Sequence, residues 1–252
     1  MKTATVFNHA GGAGKTSVVR DVGYEFARRG ARTLLIDLDP QANLTSWLGL
    51  REVPLEDTIF SVITERRPLP KPREAHGLHV VPSHVQLAMA EALVLGQPGA
   101  HYRLAKALEA VRDQYDLVLV DSPPSIGQLA IIGAGAADHL IVPIPTRAKG
   151  LDALPGLNNS LDLYRQLQPD LSVALYIPTM FDSRRNHDNY VLDLFRQHLS
   201  PISDPLPERA AVWVESNMAG EPVGAFKPGS AAYQDVQRLT DQVAAALNLE
   251  WC

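Results

Sequence analysis

A chain of 252 residues, 46% hydrophobic and 20% charged, is long enough to bury one large core, and its composition excludes wholesale disorder. Its one cysteine, Cys252, excludes a disulfide framework, a zinc cage or a cysteine-ligated iron–sulfur cluster built within a single chain and fits a reducing cytosol, and no run of about 18 apolar residues offers a transmembrane helix. The net charge of −5 confines any nucleic-acid binding to a local basic patch.

In chain order, residues 1–7 are too short an apolar run, ahead of a glycine loop, to be a signal peptide. Residues 3–8 read as a buried strand. Residues 16–29 follow as a helix with Val18, Val19, Val22 and Phe26 on one face, stopped at Gly30. Thr33–Asp37 and Leu78–Val81 are the next strands, and a helix is expected over 85–95. A helix over 102–112 feeds the strand Leu117–Asp121. Residues 139–142 and 173–177 are further strands, with helical stretches after Gly150 and around 189–199, and a closing helix over 231–247. Residues 66–72 (RRPLPKP) read as a surface loop, with a proline-motif ligand as the alternative. Short aliphatic strands alternating with helices predict an α/β fold, a mostly parallel twisted sheet covered on both faces, in one domain over 1–252.

The chemistry concentrates in Asn8-His9-Ala10-Gly11-Gly12-Ala13-Gly14-Lys15-Thr16-Ser17, between a strand and a helix. Three glycines let the backbone fold tightly and turn its N–H groups inward. With the positive end of the helix they form a cradle for phosphate oxygens. Lys15 reaches β- and γ-phosphates, and the Thr16 hydroxyl ligates Mg²⁺. The pattern G-x-x-x-x-G-K-[ST] is incomplete, because His9 stands where its first glycine belongs. The bland alternative is a glycine-rich turn with an incidental Lys-Thr pair. Asp121 ends one strand, and Asp37 and Asp39 end another. Such strand ends converge on the ligand crevice of an open α/β sheet, where an acid can hold Mg²⁺. Each aspartate alone would read as a cap or turn residue; the three together with the glycine loop do not.

Four blocks carry a family resemblance: GGAGKTS; Asp37-Leu38-Asp39-Pro40-Gln41-Ala42-Asn43-Leu44-Thr45; Tyr115-Asp116-Leu117-Val118-Leu119-Val120-Asp121-Ser122-Pro123-Pro124-Ser125; and Thr179-Met180-Phe181-Asp182-Ser183-Arg184-Arg185-Asn186. In this order they resemble the ParA family of partition ATPases, a branch of the deviant P-loop NTPases that includes the MinD proteins. The chain is similar to the short type without an N-terminal helix-turn-helix domain. The resemblance implies ATP and Mg²⁺ as cofactors and slow, adaptor-stimulated hydrolysis. It implies a homodimer sandwiching ATP, sequence-tolerant binding to double-stranded DNA, a ParB-like or other adaptor, and a cytoplasmic, nucleoid-associated protein. It further implies phosphate contacts from Gly11, Gly12, Ala13, Gly14, Lys15, Thr16 and Ser17. Thr16, Asp37 and Asp121 would serve the metal, Asp39 would orient the attacking water, Ser122–Ser125 would sense the γ-phosphate, and Pro207 would lie against the adenine.

The sequence departs from the family where a second lysine should precede the two glycines: Ala10 stands there. Either the chain binds ATP without the family's usual dimer, or another cation substitutes across it; Lys149 is the candidate, with Arg147 as rival and a solvated surface lysine as the bland alternative. The resemblance extends to McdA-like members, which position a protein cargo, also lack the early lysine and use one later in the chain. Arg184 and Arg185 resemble the family's DNA-contacting block, whereas Lys227-Pro228-Gly229-Ser230-Ala231 has fewer cations than the family's late basic positions. The competing readings are an ATP-dependent ligase of the same fold, a membrane-cycling MinD-like protein and a nitrogenase iron-protein relative. Residues 237–252 hold one arginine, two acids and no lysine, against a membrane anchor, and the iron proteins' cluster needs cysteines that are absent.

Overall fold

The computed structural model describes residues 1–249; Cys252, with the end of the tail weighed as a membrane anchor, lies outside the described residues. Seven strands form one sheet: β1 (Lys2–Val6), β2 (Thr33–Asp37), β3 (Arg73–Ala75), β4 (Leu78–Val81), β5 (Leu117–Asp121), β6 (His139–Pro145) and β7 (Ser172–Thr179). Their order is β3-β4-β2-β5-β1-β6-β7. All neighbours are parallel except β3 and β4. The central runs TLLID and LVLVD are buried at every position, as strands covered on both faces must be.

Eleven helices cover the sheet among the described residues: α1 (Lys15–Arg28), α2 (Asn43–Trp47), α3 (Ile59–Glu65), α4 (Ala90–Val94), α5 (Arg103–Glu109), α6 (Gln128–Gly135), α7 (Ala148–Leu167), α8 (Asn186–His198), α9 (Ala210–Ala219), α10 (Val223–Phe226) and α11 (Ala231–Ala246). Side chains alternate across the sheet. Leu35 and Leu119 pack with Val18, Val22 and Phe26 of α1 and Val243 of α11. Leu34, Ile36, Val118 and Val120 face the other way, onto Ile59 and Ile63 of α3 and Leu104 and Leu108 of α5. Leu140 and Val142 of β6 pack with Leu157 and Leu161 of α7 and Val191 and Phe195 of α8.

Two expectations change. The helix over 85–95 is a 3₁₀ turn, Val85–Met89, followed by the short α4. Only Leu87, Ala90 and Val94 of that segment are buried, while Val85, Met89, Leu93 and Leu95 are exposed. The apolar run therefore has one narrow packed stripe, which does not sustain three regular turns. β3 is a three-residue edge strand whose Arg73 and Glu74 are exposed. It lacks the apolar alternation that reveals a strand, and pairing with β4 alone makes it one. No helix among the described residues is long and apolar enough to cross a membrane.

Candidate nucleotide-binding site

Strand register assembles the site. Val6 pairs with Asp121 across β1 and β5, and Asp37 pairs with the same Asp121 across β2 and β5. The ends of three adjacent strands therefore meet beneath the glycine loop. Asn8 pins that loop from both sides: its Nδ2 donates to the Pro143 carbonyl at 2.5 Å, and its Oδ1 accepts from the Ala10 amide at 2.8 Å. Gly14 (φ +97°) sits in the left-handed region that favours glycine and caps α1 without a side chain. The first-turn amides of a 14-residue helix are thus left without a side-chain cap, and no acid stands in that turn. Such an end attracts an anion.

Lys15 is buried, and its Nζ donates to the Asn8 carbonyl at 3.0 Å. Burial pushes its pKa down, opposed by Asp121 and Asp39. Asp37 is fully buried and both its carboxylate oxygens accept hydrogen bonds. Oδ2 accepts from the Thr45 amide (2.9 Å) and hydroxyl (2.6 Å), and Oδ1 accepts from the Asp39 amide (3.2 Å). Burial outweighs these bonds and pushes Asp37 up to about 7. Asp39 accepts from the Gln41 amide at 2.9 Å, and burial raises it as well. Asp121 is the extreme case. Both its oxygens are buried with no hydrogen-bond partner, and Thr16 lies beside it without a well-formed bond. Burial, then the neighbouring Asp37, drive its pKa well above the ordinary value.

An orphaned carboxylate at this depth costs free energy unless a cation or donor joins it. Thr16 and the aspartates fit a divalent ion that takes its remaining ligands from phosphate and water. Among the described residues, no three His, Cys, Asp or Glu side chains are grouped so as to hold a metal ion by themselves.

The remaining candidates divide into two groups. Pro207 lines a cavity of about 300 Å³ together with Gly14, Ser17, Thr179 and Trp213, beside the loop. Lys149, at the start of α7, reaches the loop of its own chain: its Nζ donates to the Gly11 carbonyl at 2.6 Å. Gly150 lets the start of α7 pack against the end of β6, since a Cβ there would lie 1.9 Å from the Pro145 carbonyl oxygen. Arg147 instead pairs with Glu208. Arg184 is 87% exposed and pairs with Asp182 at 2.9 Å, and Arg185 pairs at 2.9 Å with Glu208, which also lines the cavity beside the loop.

Four supporting residues carry no chemical signature in the sequence. Asn8 is one. Thr45 joins Asp37 to the Ser83 amide (2.9 Å). Thr179 donates to the Ala13 carbonyl (2.9 Å). His9 meets the Gly156 carbonyl and the Ser160 hydroxyl, both at 2.9 Å, and so ties the loop to α7. Asn8 lies two residues past the end of the first strand and Thr179 ends the last, which is the signal that would have found them.

A glycine loop between the first strand and first helix of a parallel sheet, with a buried lysine and strand-end aspartates, defines a P-loop nucleotide-binding protein. Residues 1–173 match a family model described as an AAA domain. The chain is 41% identical over 248 residues to the "Probable plasmid-partitioning protein ParA" of Thermus thermophilus, covering 94% of this chain and 76% of that protein. The chain belongs to the ParA family of P-loop ATPases. Its fold is similar to that of cobyrinic acid a,c-diamide synthase from Mycobacterium smegmatis with bound ADP and magnesium (TM-score 0.81, 27% identity, 96% of this chain and 93% of that one). It is also similar to the fold of a Cyanothece McdA variant in complex with ATP (TM-score 0.87, 23% identity, 100% and 98%).

Proposed function

We propose that this chain is an ATP-driven partition or positioning ATPase that binds Mg-ATP, dimerises around it and binds duplex DNA without sequence preference. It hydrolyses ATP slowly under the stimulus of an adaptor protein while it moves a plasmid, a chromosome or a protein body over the nucleoid of the cytoplasm. The observation that carries this reading is the buried orphan carboxylate of Asp121 beside Lys15 and Thr16 at the uncapped head of α1. Gly11, Gly12, Ala13, Gly14, Lys15, Thr16 and Ser17 bind the phosphates, and Pro207 supports the base. Mg²⁺, held by Thr16 and oriented by Asp37 and Asp121, supplies charge neutralisation when bound. Asp39 orients the attacking water. Catalysis then consists of positioning and charge stabilisation.

Calorimetry with Mg-ATP tests the core of this reading. Wild type is expected to bind, and Lys15→Ala is expected to lose binding by about 100-fold or more, because amides alone do not neutralise a triphosphate. Wild type that binds neither ATP nor ADP overturns it. The likeness to the cobyrinic acid synthase supports a second reading, an ATP-dependent ligase. Turnover of ATP in water with no organic acceptor favours the positioning ATPase; turnover that requires a carboxylate substrate favours the ligase.

A further inference from the structure

A cavity of about 500 Å³ shares no lining residue with the nucleotide site. Its wall holds Arg66, Arg67, Tyr102, Arg103 and Lys106, and no acidic residue lines it. In a chain of net charge −5 this is a concentrated positive hollow. Arg67 pairs with Glu65 at 2.8 Å. Among the described residues Arg66, Arg103 and Lys106 form no ion pair.

Arg103 is only 7% exposed. Its terminal nitrogens donate to neutral acceptors, the Ile63 and Thr64 carbonyls and the Gln97 side chain. Its Nε is buried with no partner. Burial and the nearby Arg66 push its pKa down, the response of a cation that lacks a counter-charge. Arg66 closes α3 at φ +59°, a left-handed position that favours glycine. Backbone strain is thus accepted where a guanidinium meets the cavity. Tyr102 adds an aromatic surface, 48% exposed, with the His101 ring 4.0 Å from its own.

We propose that this cavity is a second ligand site, taking a small phosphate-bearing molecule of nucleotide size. Arg103, Arg66 and Lys106 hold its phosphate, and Tyr102 carries its base. The volume lies within the range of about 300–1,000 Å³ typical of small-molecule sites. A duplex backbone is met by exposed cations on an open surface, whereas here the unpaired guanidinium is recessed. The proposal is independent of the function assigned to the glycine loop.

The test uses the full chain with its glycine loop first saturated by Mg²⁺ and a non-hydrolysable ATP analogue. The chain is then titrated calorimetrically with AMP, GMP, inorganic pyrophosphate and a short DNA duplex in turn. At least one monophosphate is expected to bind once per chain. Arg66→Glu with Lys106→Glu, both at exposed positions, is expected to weaken that binding at least about tenfold while analogue affinity at the loop stays within about twofold. Tyr102→Ala is expected to weaken the nucleoside monophosphate and leave pyrophosphate unchanged. Failure of every probe to saturate overturns the proposal, as does unchanged affinity in the double variant, or occupation by duplex DNA alone. An analogue that does not bind the loop counts against the function proposed above, while the cavity is still titrated directly.

Discussion

Asp37 and Asp39 are two residues apart and differ in what their surroundings leave them to do. Asp37 spends both oxygens on Thr45 and on the Asp39 amide; it organises the turn after β2. Asp39 accepts one hydrogen bond, from the Gln41 amide, and keeps capacity to hold a water. Asp39→Ala is therefore expected to retain Mg-ATP affinity within about threefold and to lose about 100-fold or more of turnover, the pattern of an interaction made only in the transition state. Comparing calorimetry with phosphate release checks this; turnover at the wild-type rate removes Asp39 from the role. Glycines, a lysine and acids at strand ends were legible as chemistry. Asn8, Thr45 and Thr179 were not, because their work is to hold main chain in place, and a polar residue that bonds backbone looks in sequence like any other.

At the scale of elements, α1 does more than present the loop. Its apolar face is legible in the spacing of Val18, Val19, Val22 and Phe26, yet the helix also buries Arg20, Asp21 and Glu25. Arg20 pairs with Asp21 and bonds Ser216 and Asn217 of α9, and its guanidinium lies 5.9 Å from the Trp47 ring centre on α2. The Asp21 carboxylate accepts from the Val223 amide at 2.6 Å, at the start of α10. Glu25 accepts from Arg28, Arg29 and the Tyr233 hydroxyl of α11. Burial alone would raise the Glu25 pKa, but the bonds from Arg28, Tyr233 and Arg29 outweigh it and hold the group at about 2. A lowered folded-state pKa means that this contribution is full above the ordinary value of 4.5 and is lost as pH falls from there to about 2. Glu25→Gln is expected to cost about 2 kcal/mol at pH 7, with the gap to wild type closing near pH 2. Urea unfolding midpoints at both pH values check the sign; a gap that stays constant refutes it.

For the whole molecule, the proposed function requires a protein of net charge −5 to meet its own copy and DNA. Two ATP molecules facing each other repel, and Ala10 offers no cation to offset that repulsion. We propose that Lys149, which rests on the Gly11 carbonyl in the single chain, turns to the partner's nucleotide in the dimer. Lys149→Ala is expected to bind ATP as a monomer and to fail to dimerise, as read by light scattering with ATP analogue. Normal dimerisation of the variant shifts the role to Arg147. For DNA, Arg184→Glu with Arg185→Glu is expected to weaken ATP-dependent duplex binding about tenfold or more and to lower the salt slope. Equal affinity removes that loop from the interface. Both arginines already pair with carboxylates, Asp182 and Glu208, so under the proposed function DNA phosphates would have to compete for them.

The sequence by itself determined the α/β class, the parallel sheet, the phosphate loop and the ATPase family. The class, the sheet and the loop are written in local patterns, namely buried aliphatic runs, an amphipathic helix and glycines before a lysine, whereas the family was legible through the resemblance of four motif blocks. Tertiary structure alone decided that Asp37 and Asp121 are cross-strand neighbours, that Lys149 reaches a loop 138 residues away, and that Arg66, Arg103 and Lys106 share one hollow. The reason is physical. Local pattern reports what a residue prefers, whereas charge repulsion, desolvation and the loss of a hydrogen-bond partner depend on distances that only the folded chain sets.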